Sequence, residues 1–346
     1  MKENIHNLSE EGVSIFLNTY KEPPYRIGQI FRGLYHHQYS DWLEFSNLPK
    51  LLIGLLSQTY AISTLEPIDE IISADQLTSK TLFRLGDGVF IETVLLKKGT
   101  RLTLCVSTQA GCPVGCVFCA TGKIGLIRNL TAGEIIEQVL FFSRKLSDQG
   151  ETLTNIVLMG MGEPLLNYDN TLFAVQKMIN PLGLNIGSRR ITLSTIGIIP
   201  EIIKFANEKM QINLAVSLHA PTQELRNQLV PISRKFPLEQ LIPACKEFFF
   251  QTGRRVTFEY VMIGDLNDSS NQALDLGKLL IGFPCHVNLI PLNPLSEFEG
   301  YPPTPHRLRD FGRILLDHNI PVSIRDSQGA DIRAGCGQLA GRQLEQ

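Results

Sequence analysis

Three closely spaced cysteines are the residues of this sequence with the clearest chemical potential. Cys112, Cys116 and Cys119 lie in the stretch GCPVGCVFCATG, residues 111–122, and are separated by three and then two residues. Cysteine thiolates bind soft metal ions and iron–sulfur clusters. Structural zinc sites and ferredoxin-like clusters usually take four protein ligands, but no second cysteine pair lies nearby and the next histidine is His219. Three thiolates on a 4Fe–4S cluster leave one iron free to hold a small molecule, and a zinc site is the competing interpretation.

Four further cysteines fall into two classes. Cys245 and Cys285 stand alone in apolar segments, which predicts buried core thiols. Cys105 precedes the three-cysteine loop by seven residues, and Cys336 lies in GADIRAGCGQLAG near the C-terminus. The glycines on both sides of Cys336 let the backbone bend close to a site, and an inert surface thiol is the alternative. Seven cysteines in a chain of this length, three of them clustered, indicate metal binding or catalysis, not a secreted disulfide framework.

Two other short motifs carry polar groups. Gly162 and Glu163 belong to GMGEP, residues 160–164, which begins like a dinucleotide fingerprint but has Leu165 at the third glycine position. Ser217 and His219, in SLH, have the composition of a hydrolase pair but lack a nucleophile elbow. GMGEP therefore does not support dinucleotide binding, and SLH does not support hydrolysis.

The elements that would position these residues alternate between strand and helix. Thr131 and Glu134 form a capping box at the start of the first helix in this alternating region. Six such βα units predict a parallel sheet, and six are too few for a closed eight-fold barrel, so we expect an open partial barrel with its site at the carboxyl ends of the strands. The predicted strands are 101–109, 154–160, 189–195, 212–218, 254–263 and 285–291.

The N-terminal part of the chain has a different pattern. Apolar residues at three- and four-residue spacing predict helices up to about residue 60, and residues 79–96 read as a β-hairpin turning at 86–88. We therefore divide the chain into an N-terminal helical accessory domain (1–70), a β-hairpin linker (71–100) and a core (101–346) that ends in the cysteine-containing loop.

Composition limits the function classes. Hydrophobic residues make up 43% of the chain and charged residues 19%, with a formal net charge of −2. No apolar run approaches the ~18 residues of a membrane span, and the N-terminus lacks a signal peptide's apolar run, so we expect a cytoplasmic protein with no membrane partner. Near-neutral charge does not indicate a nucleic-acid binder, but phosphate contacts need only a local positive face. Four basic pairs are candidates: Lys97–Lys98, Arg189–Arg190, Arg234–Lys235 and Arg254–Arg255.

Seven segments of the chain together match the pattern of one family. They are LCVSTQAGCPVGCVFCATG, RNLTAGEI, MGMGEP, ITLSTIGIIP, LAVSLHAP, HVNLIPLNP and GCGQLAG. With these segments the sequence resembles the RlmN-type adenosine methyltransferases of ribosomal and transfer RNA, radical S-adenosylmethionine (SAM) enzymes whose sister group is the Cfr-type resistance methyltransferases. The similarity runs from about Tyr25 to the C-terminus, and it implies a radical SAM partial (β/α)6 barrel with a small N-terminal helical domain that binds RNA.

The resemblance implies a two-cysteine mechanism that consumes two SAM molecules per turnover. The three-cysteine loop would hold a 4Fe–4S cluster whose open iron chelates SAM, and one electron would release a 5′-deoxyadenosyl radical. Cys336 would first accept a methyl group from another SAM, and the radical would then remove a hydrogen from it. The resulting carbon radical would add to carbon-2 of an adenine. Release would leave methyladenosine and a disulfide between Cys336 and Cys105.

The resemblance also assigns individual roles. Glu92, in FIETVLL, matches a carboxylate proposed as a proton acceptor, with an exposed strand glutamate as the alternative. The implied SAM contacts are Gly162, Glu163, Ser194, Ser217, Leu218, His219 and Asn293.

The implied substrates are an adenosine in the peptidyl-transferase centre of 23S rRNA and the adenosine 3′ of the anticodon in certain tRNAs. A flavodoxin system would supply electrons, and the protein would be a monomer. One alternative is the Cfr-type activity at adenine carbon-8. The other, from a different class, is a metal-stabilised RNA-binding protein without catalysis.

Overall fold

The computed structural model describes residues 2–295, 298–325 and 328–341. The last five residues of the predicted core, 342–346, therefore lie outside the described part. The strands are β1 (Glu3–Asn4), β2 (Tyr60–Ala61), β3 (Glu66–Ile72), β4 (Thr78–Arg84), β5 (Phe90–Lys98), β6 (Arg101–Cys105), β7 (Gln109–Gly111), β8 (Leu126–Asn129), β9 (Asn155–Leu158), β10 (Ile191–Thr195), β11 (Asn213–Ser217), β12 (Val256–Met262), β13 (Cys285–Pro291) and β14 (Val322–Ile324).

Helices connect most of these strands. The α-helices are α1 (Glu10–Thr19), α2 (Arg26–Phe31), α3 (Lys50–Thr59), α4 (Ala120–Ile124), α5 (Ala132–Ser147), α6 (Tyr168–Ile179), α7 (Ile199–Asn207), α8 (Gln223–Leu229), α9 (Leu238–Thr252), α10 (Ser270–Leu279) and α11 (Pro305–Asp317). Shorter 3-10 turns occupy Ile5–Asn7, Trp42–Glu44, Pro164–Asn167, Ser188–Arg190, Pro231–Arg234 and Ala330–Ile332, and a π-helical segment occupies Arg32–His36.

A parallel sheet forms the centre of the molecule. β6, β9, β10, β11, β12, β13 and β14 pair in parallel and in chain order. With right-handed crossovers, sequential order places the connecting helices on one face and leaves the other face to close around a site. The six predicted strands are confirmed, although the first one ends at Cys105 because the chain then leaves the sheet. The three-residue strand β14 was not predicted.

An antiparallel meander extends the same sheet. β3, β4 and β5 pair antiparallel, and β5 pairs antiparallel with β6, so the sheet has ten strands among the described residues. The hairpin of residues 79–96 is confirmed as β4 and β5. It continues the central sheet directly, and β3 begins at Glu66, within the predicted accessory domain (1–70) but beyond the helices predicted up to about residue 60. The division of the chain at residues 70 and 100 stays a prediction.

The N-terminal helices pack around their own apolar residues. Trp42 and Phe45 are buried with their rings 5.3 Å apart, and a Cβ on Gly33 would come within 2.1 Å of the Phe45 ring. In the first βα unit, the predicted capping box is present, since the Thr131 hydroxyl accepts from the Glu134 N–H and the Glu134 carboxylate accepts from the Thr131 N–H. Among the described residues, no helix is both long and apolar enough to cross a membrane.

Candidate active site

A cavity opens where the parallel strands end, as the sequence predicts. It contains about 940 Å³ of empty space, including its open mouth. Its walls come from the carboxyl ends of β9 to β13, from the loop that carries the three cysteines and from the C-terminal segment that carries Cys336.

A small hairpin shapes the three-cysteine loop. β7 and β8 pair antiparallel on either side of residues 112–125 and close the loop at its base. There the Cys112 N–H donates to the Gly125 carbonyl at 2.8 Å. Gly111 has φ +73°, and a Cβ at this position would lie 1.9 Å from the Gly125 oxygen. Only glycine allows this close approach, and the pinched base turns the loop toward the cavity.

The three predicted cluster ligands reach the same cavity. Cys112, Cys116 and Cys119 all line it. Burial raises the pKa of each thiol, that of Cys112 to about 12, and repulsion from neighbouring thiolates adds to the effect at Cys112 and Cys116. Ionised thiolates here therefore need the positive charge of a metal centre. No three His, Cys, Asp or Glu side chains in the described ranges are gathered around one point as ligands of a single metal ion.

Gly162 and Glu163 form the adjoining wall. Gly162 has φ +102°, and a Cβ there would approach the Gln109 side chain to 2.5 Å. The Glu163 carboxylate does not point freely into the cavity, because it accepts from the N–H groups of Ile196 at 2.7 Å and Leu165 at 3.1 Å. Burial raises the pKa of Glu163 to about 7, and these hydrogen bonds oppose that rise. The side chain ties the ends of β9 and β10 together, which leaves the backbone of this segment to face a ligand.

The predicted contacts on β10 and β11 divide into two groups. Ser194, Ser217 and His219 line the cavity. Leu218 is fully buried and is absent from the cavity wall, because neighbouring residues of an extended segment point in opposite directions. His219 has φ +62°, and its Nδ1 accepts from the Val261 N–H at 3.1 Å. Burial and a nearby arginine lower the pKa of His219 to about 3, so its imidazole is neutral.

The C-terminal segment reaches the cavity from the opposite end of the chain. Cys336 lines the cavity and is exposed to it. The Asn293 side chain donates to the Cys336 carbonyl at 3.1 Å, and the Ala120 N–H donates to the Gly337 carbonyl at 2.7 Å. Gly337 has φ +83°, and a Cβ there would lie 2.9 Å from the Phe118 oxygen. The predicted bend beside Cys336 is confirmed, and it places this cysteine against the three-cysteine loop.

Cys105 and Glu92 lie behind the cavity wall. Both Cys105 and Cys336 are free thiols. Burial raises the pKa of Cys105 to about 12, and negative charge on Cys336 raises it further, so the two thiols are within electrostatic reach. The Glu92 carboxylate is buried and pairs with Lys80 at 2.9 Å. Its other oxygen accepts from the N–H groups of Ala340 and Gly341. Glu92 is thus not an exposed strand glutamate.

Two cavity residues were missed by sequence reasoning. Glu259, on β12, is buried and forms an ion pair with Arg325 at 3.1 Å, and both line the cavity. Burial raises the pKa of Glu259, and Arg325 partly offsets this. A carboxylate inside the apolar run RRVTFEYVMI was the available signal. Arg325 follows the unpredicted strand β14 and had no comparable signal.

The cavity wall fits a polar ligand. Glu259 Oε2 and Asn293 Oδ1 are buried and have no hydrogen-bond partner in the described structure. Buried polar atoms are almost always hydrogen bonded, so these two acceptors are matched by a ligand with N–H or O–H groups. SAM offers both, and the three thiols on the facing wall suit an iron–sulfur cluster.

Comparison with known proteins agrees with this geometry. Residues 106–276 match the radical SAM superfamily model. A dual-specificity RNA methyltransferase RlmN of Myxococcus xanthus is 44% identical over 97% of this chain and 94% of its own length. The chain belongs to the RlmN family of radical SAM methyltransferases. A probable RlmN of Geobacillus kaustophilus is also 44% identical, over 99% of this chain and 94% of its own. The crystal structure of a radical SAM methyltransferase from Sphaerobacter thermophilus matches with a TM-score of 0.95 and 46% identity, covering 98% of this chain and 99% of that one.

Membership in the RlmN family establishes the class of reaction. RlmN-family proteins are SAM-dependent RNA methyltransferases, so the chain is an enzyme. The radical SAM fold implies a 4Fe–4S cluster and SAM. The interpretation as a non-catalytic RNA-binding protein is therefore not favoured, and the Cfr-type interpretation is not favoured either, because the similar curated proteins carry the RlmN name.

Proposed function

We propose that this enzyme methylates carbon-2 of an adenosine in 23S rRNA and of the adenosine 3′ of the anticodon in tRNAs, through a methylated Cys336. One observation carries the proposal: Cys336 and the three-cysteine loop line the same cavity and are joined by the Ala120–Gly337 hydrogen bond. An electron-poor aromatic C–H is not a nucleophile, so direct methyl transfer from SAM does not reach it. A methyl carrier next to a source of one-electron chemistry solves this problem.

Each group has a role that its position supports. Cys112, Cys116 and Cys119 would hold the cluster, and Gly162, Glu163, Ser194, Ser217, His219 and Asn293 would hold SAM. When bound, the cluster and SAM would supply the one-electron chemistry that removes hydrogen from an unreactive carbon. Cys336 attacks the methyl carbon of SAM as a thiolate, which forms S-methylcysteine and releases S-adenosylhomocysteine.

Cys105 completes the proposal. It lies within electrostatic reach of Cys336, so we assign to it the disulfide that frees the product from Cys336. Glu92 is the proton acceptor proposed for this step, and in the structure its carboxylate contacts the backbone of the segment that carries Cys336. Two SAM molecules are consumed per product, a flavodoxin system supplies electrons, and the enzyme works as a cytoplasmic monomer.

RNA contacts are proposed for the N-terminal helices and for one basic pair. Arg189–Arg190 and Arg254–Arg255 immediately precede β10 and β12, so they lie at the amino edge of the sheet, opposite the cavity. Arg234 and Lys235 follow α8, are exposed, and lie on the cavity side of the strands. This pair is the better candidate for a phosphate contact beside a base that has left its stack.

The direct test is product identification under anaerobic conditions. The reconstituted enzyme is incubated with methyl-labelled SAM, a reductant and unmodified bacterial rRNA and tRNA, and the digested RNA is examined by mass spectrometry. We expect 2-methyladenosine, with one S-adenosylhomocysteine and one 5′-deoxyadenosine per product. 8-Methyladenosine would move the enzyme to the Cfr type, and an enzyme that carries its cluster but forms no methyladenosine would contradict the proposal.

Three variants separate the thiol roles. Cys336→Ala should abolish both product formation and methyl uptake by the protein. Cys105→Ala should still take up the methyl group but should trap a protein–RNA adduct, and normal turnover would show that its role is wrongly assigned. Cys285→Ala is the matched control, because this thiol is buried away from the cavity.

A further inference from the structure

A buried arginine lies behind the cavity wall and is not used by the proposed mechanism. Arg226, on α8, is fully buried. Its guanidinium donates to the carbonyls of Ile196 at 2.5 Å, Leu218 at 3.3 Å and Phe236 at 3.1 Å. Every acceptor found for it within the described ranges is a backbone carbonyl. A buried charge that lacks an ionic partner raises the free energy of the folded protein. A role for the positive charge of Arg226 would explain why the fold keeps it.

The three-cysteine loop is the neighbour that supplies the missing negative charge. The last residue of α8, Leu229, accepts a hydrogen bond from the Val117 N–H at 3.1 Å, which fixes the helix against the loop next to Cys116. Ile196, whose carbonyl accepts from the Arg226 guanidinium at 2.5 Å, lines the same cavity as Cys116. His219, which lies close to the same guanidinium, is neutral and adds no charge.

We propose that Arg226 is the fixed countercharge of the iron–sulfur cluster and raises its reduction potential. This inference rests on the cluster of the proposed function. One-electron reduction adds a negative charge to the cluster, and a buried cation nearby stabilises the reduced state because the protein interior screens weakly. Arg226 is a positioning and tuning residue, since it also holds the ends of β10 and β11 through Ile196 and Leu218.

The test measures the midpoint potential of the reconstituted enzyme by EPR-monitored reductive titration. Arg226→Gln removes the charge and should reduce the equilibrium constant for cluster reduction about tenfold, which is about 59 mV for a one-electron couple. Arg226→Lys keeps the charge and should change that constant less than about threefold. A loss in Arg226→Lys as large as that in Arg226→Gln would indicate that hydrogen-bond geometry, not charge, is responsible, and would overturn the proposal.

A second pair of variants leaves Arg226 and its hydrogen bonds in place, so its result does not depend on whether the Arg226 variants fold. Cys245 on α9 is fully buried and within electrostatic reach of Arg226. Cys245→Asp would give Arg226 an ionic partner and should lower the potential, whereas the isosteric Cys245→Asn should not. Equal potentials in this pair would overturn the inference while leaving the proposed function intact. A wild-type enzyme that binds no cluster would instead overturn the proposed function and this inference with it.

Discussion

Two buried glutamates hold the two ends of the chain against the central sheet, and they do so differently. Glu137, on α5, holds the N-terminal helices, and its carboxylate accepts from Asn4, from both the N–H and hydroxyl of Thr64, from the Ser63 hydroxyl and from the Leu65 N–H. Glu92, on β5, holds the C-terminal segment through two backbone N–H groups and has Lys80 as its ion pair.

The surroundings of these glutamates differ as well. In the N-terminal attachment a cation–π contact places the Lys177 ammonium, on α6, 4.0 Å from the Phe31 ring centre. The C-terminal attachment consists largely of single polar contacts, such as the Thr121 hydroxyl on the Leu339 carbonyl and the Gln338 amide on the Pro294 carbonyl. The first arrangement suits helices that stay attached to the sheet. The second suits a segment whose cysteine, in the proposed mechanism, meets SAM, an adenine and Cys105 in turn.

The largest effect on stability is expected at Glu137. Glu137→Ala would leave several buried donors without a partner and should lower the free energy of unfolding by about 3–5 kcal/mol. Trp42 is the single tryptophan and lies in the N-terminal helices, so its fluorescence during urea unfolding reports on this region. Glu137→Gln, which keeps an acceptor oxygen, should lose less. An unchanged Trp42 transition would show that Glu137 does not hold this end of the chain.

A pH-dependent effect is expected at Lys177. Burial lowers the pKa of Lys177 from 10.5 to about 8. Between these values the unfolded chain binds the proton and the folded chain does not, so stability should rise with pH from 8 to 10.5, by about 3 kcal/mol. The free energy of unfolding in urea is measured for the wild type and for Lys177→Met across this pH range. The difference between the two gives the contribution of Lys177. Parallel stability curves for the two proteins would contradict the prediction.

The smallest effect on global stability is expected at Glu92. Glu92→Gln should lower the free energy of unfolding by about 2 kcal/mol, since it keeps an acceptor for the backbone N–H groups, and Lys80 loses its ion pair but still donates to the Arg333 carbonyl. Hydrogen exchange of residues 333–341 should nevertheless become several-fold faster, while exchange in the N-terminal helices stays unchanged. A loss of stability equal to that of Glu137→Ala would erase the distinction between the two attachments.

The sequence predicted the elements of the core well, because strand and helix depend on local patterns. The six parallel strands, the β4–β5 hairpin and the Thr131 capping box follow from apolar spacing and capping residues. β14 was missed because three residues are too short a run for periodicity to show. β3 lay outside both the predicted helices and the predicted hairpin, since its pairing with β4 is a contact between separate segments.

The candidate site was predicted in part. Ten of the thirteen proposed site residues line the cavity, while Cys105, Glu92 and Leu218 do not. Leu218 shows the limit of carrying over a three-residue motif, because alternation along extended backbone turns the middle side chain away. Glu259, Arg325 and Arg226 were missed because their significance lies in partners that are distant along the chain.

By itself, the sequence determined the class of chemistry. Three thiolates at CxxxCxxC spacing, a βα repeat and a glycine-flanked cysteine are local features, which can be recognised in a sequence without a structure. Only the tertiary structure decided which groups meet. Cys336 lies more than 200 positions from Cys119 in the printed numbering, yet the Ala120–Gly337 hydrogen bond joins their segments. Burial, and with it the cost of each unpaired charge, depends on how the whole chain packs, so the electrostatics of Arg226, Glu163 and Glu259 could not be read from their neighbours in sequence.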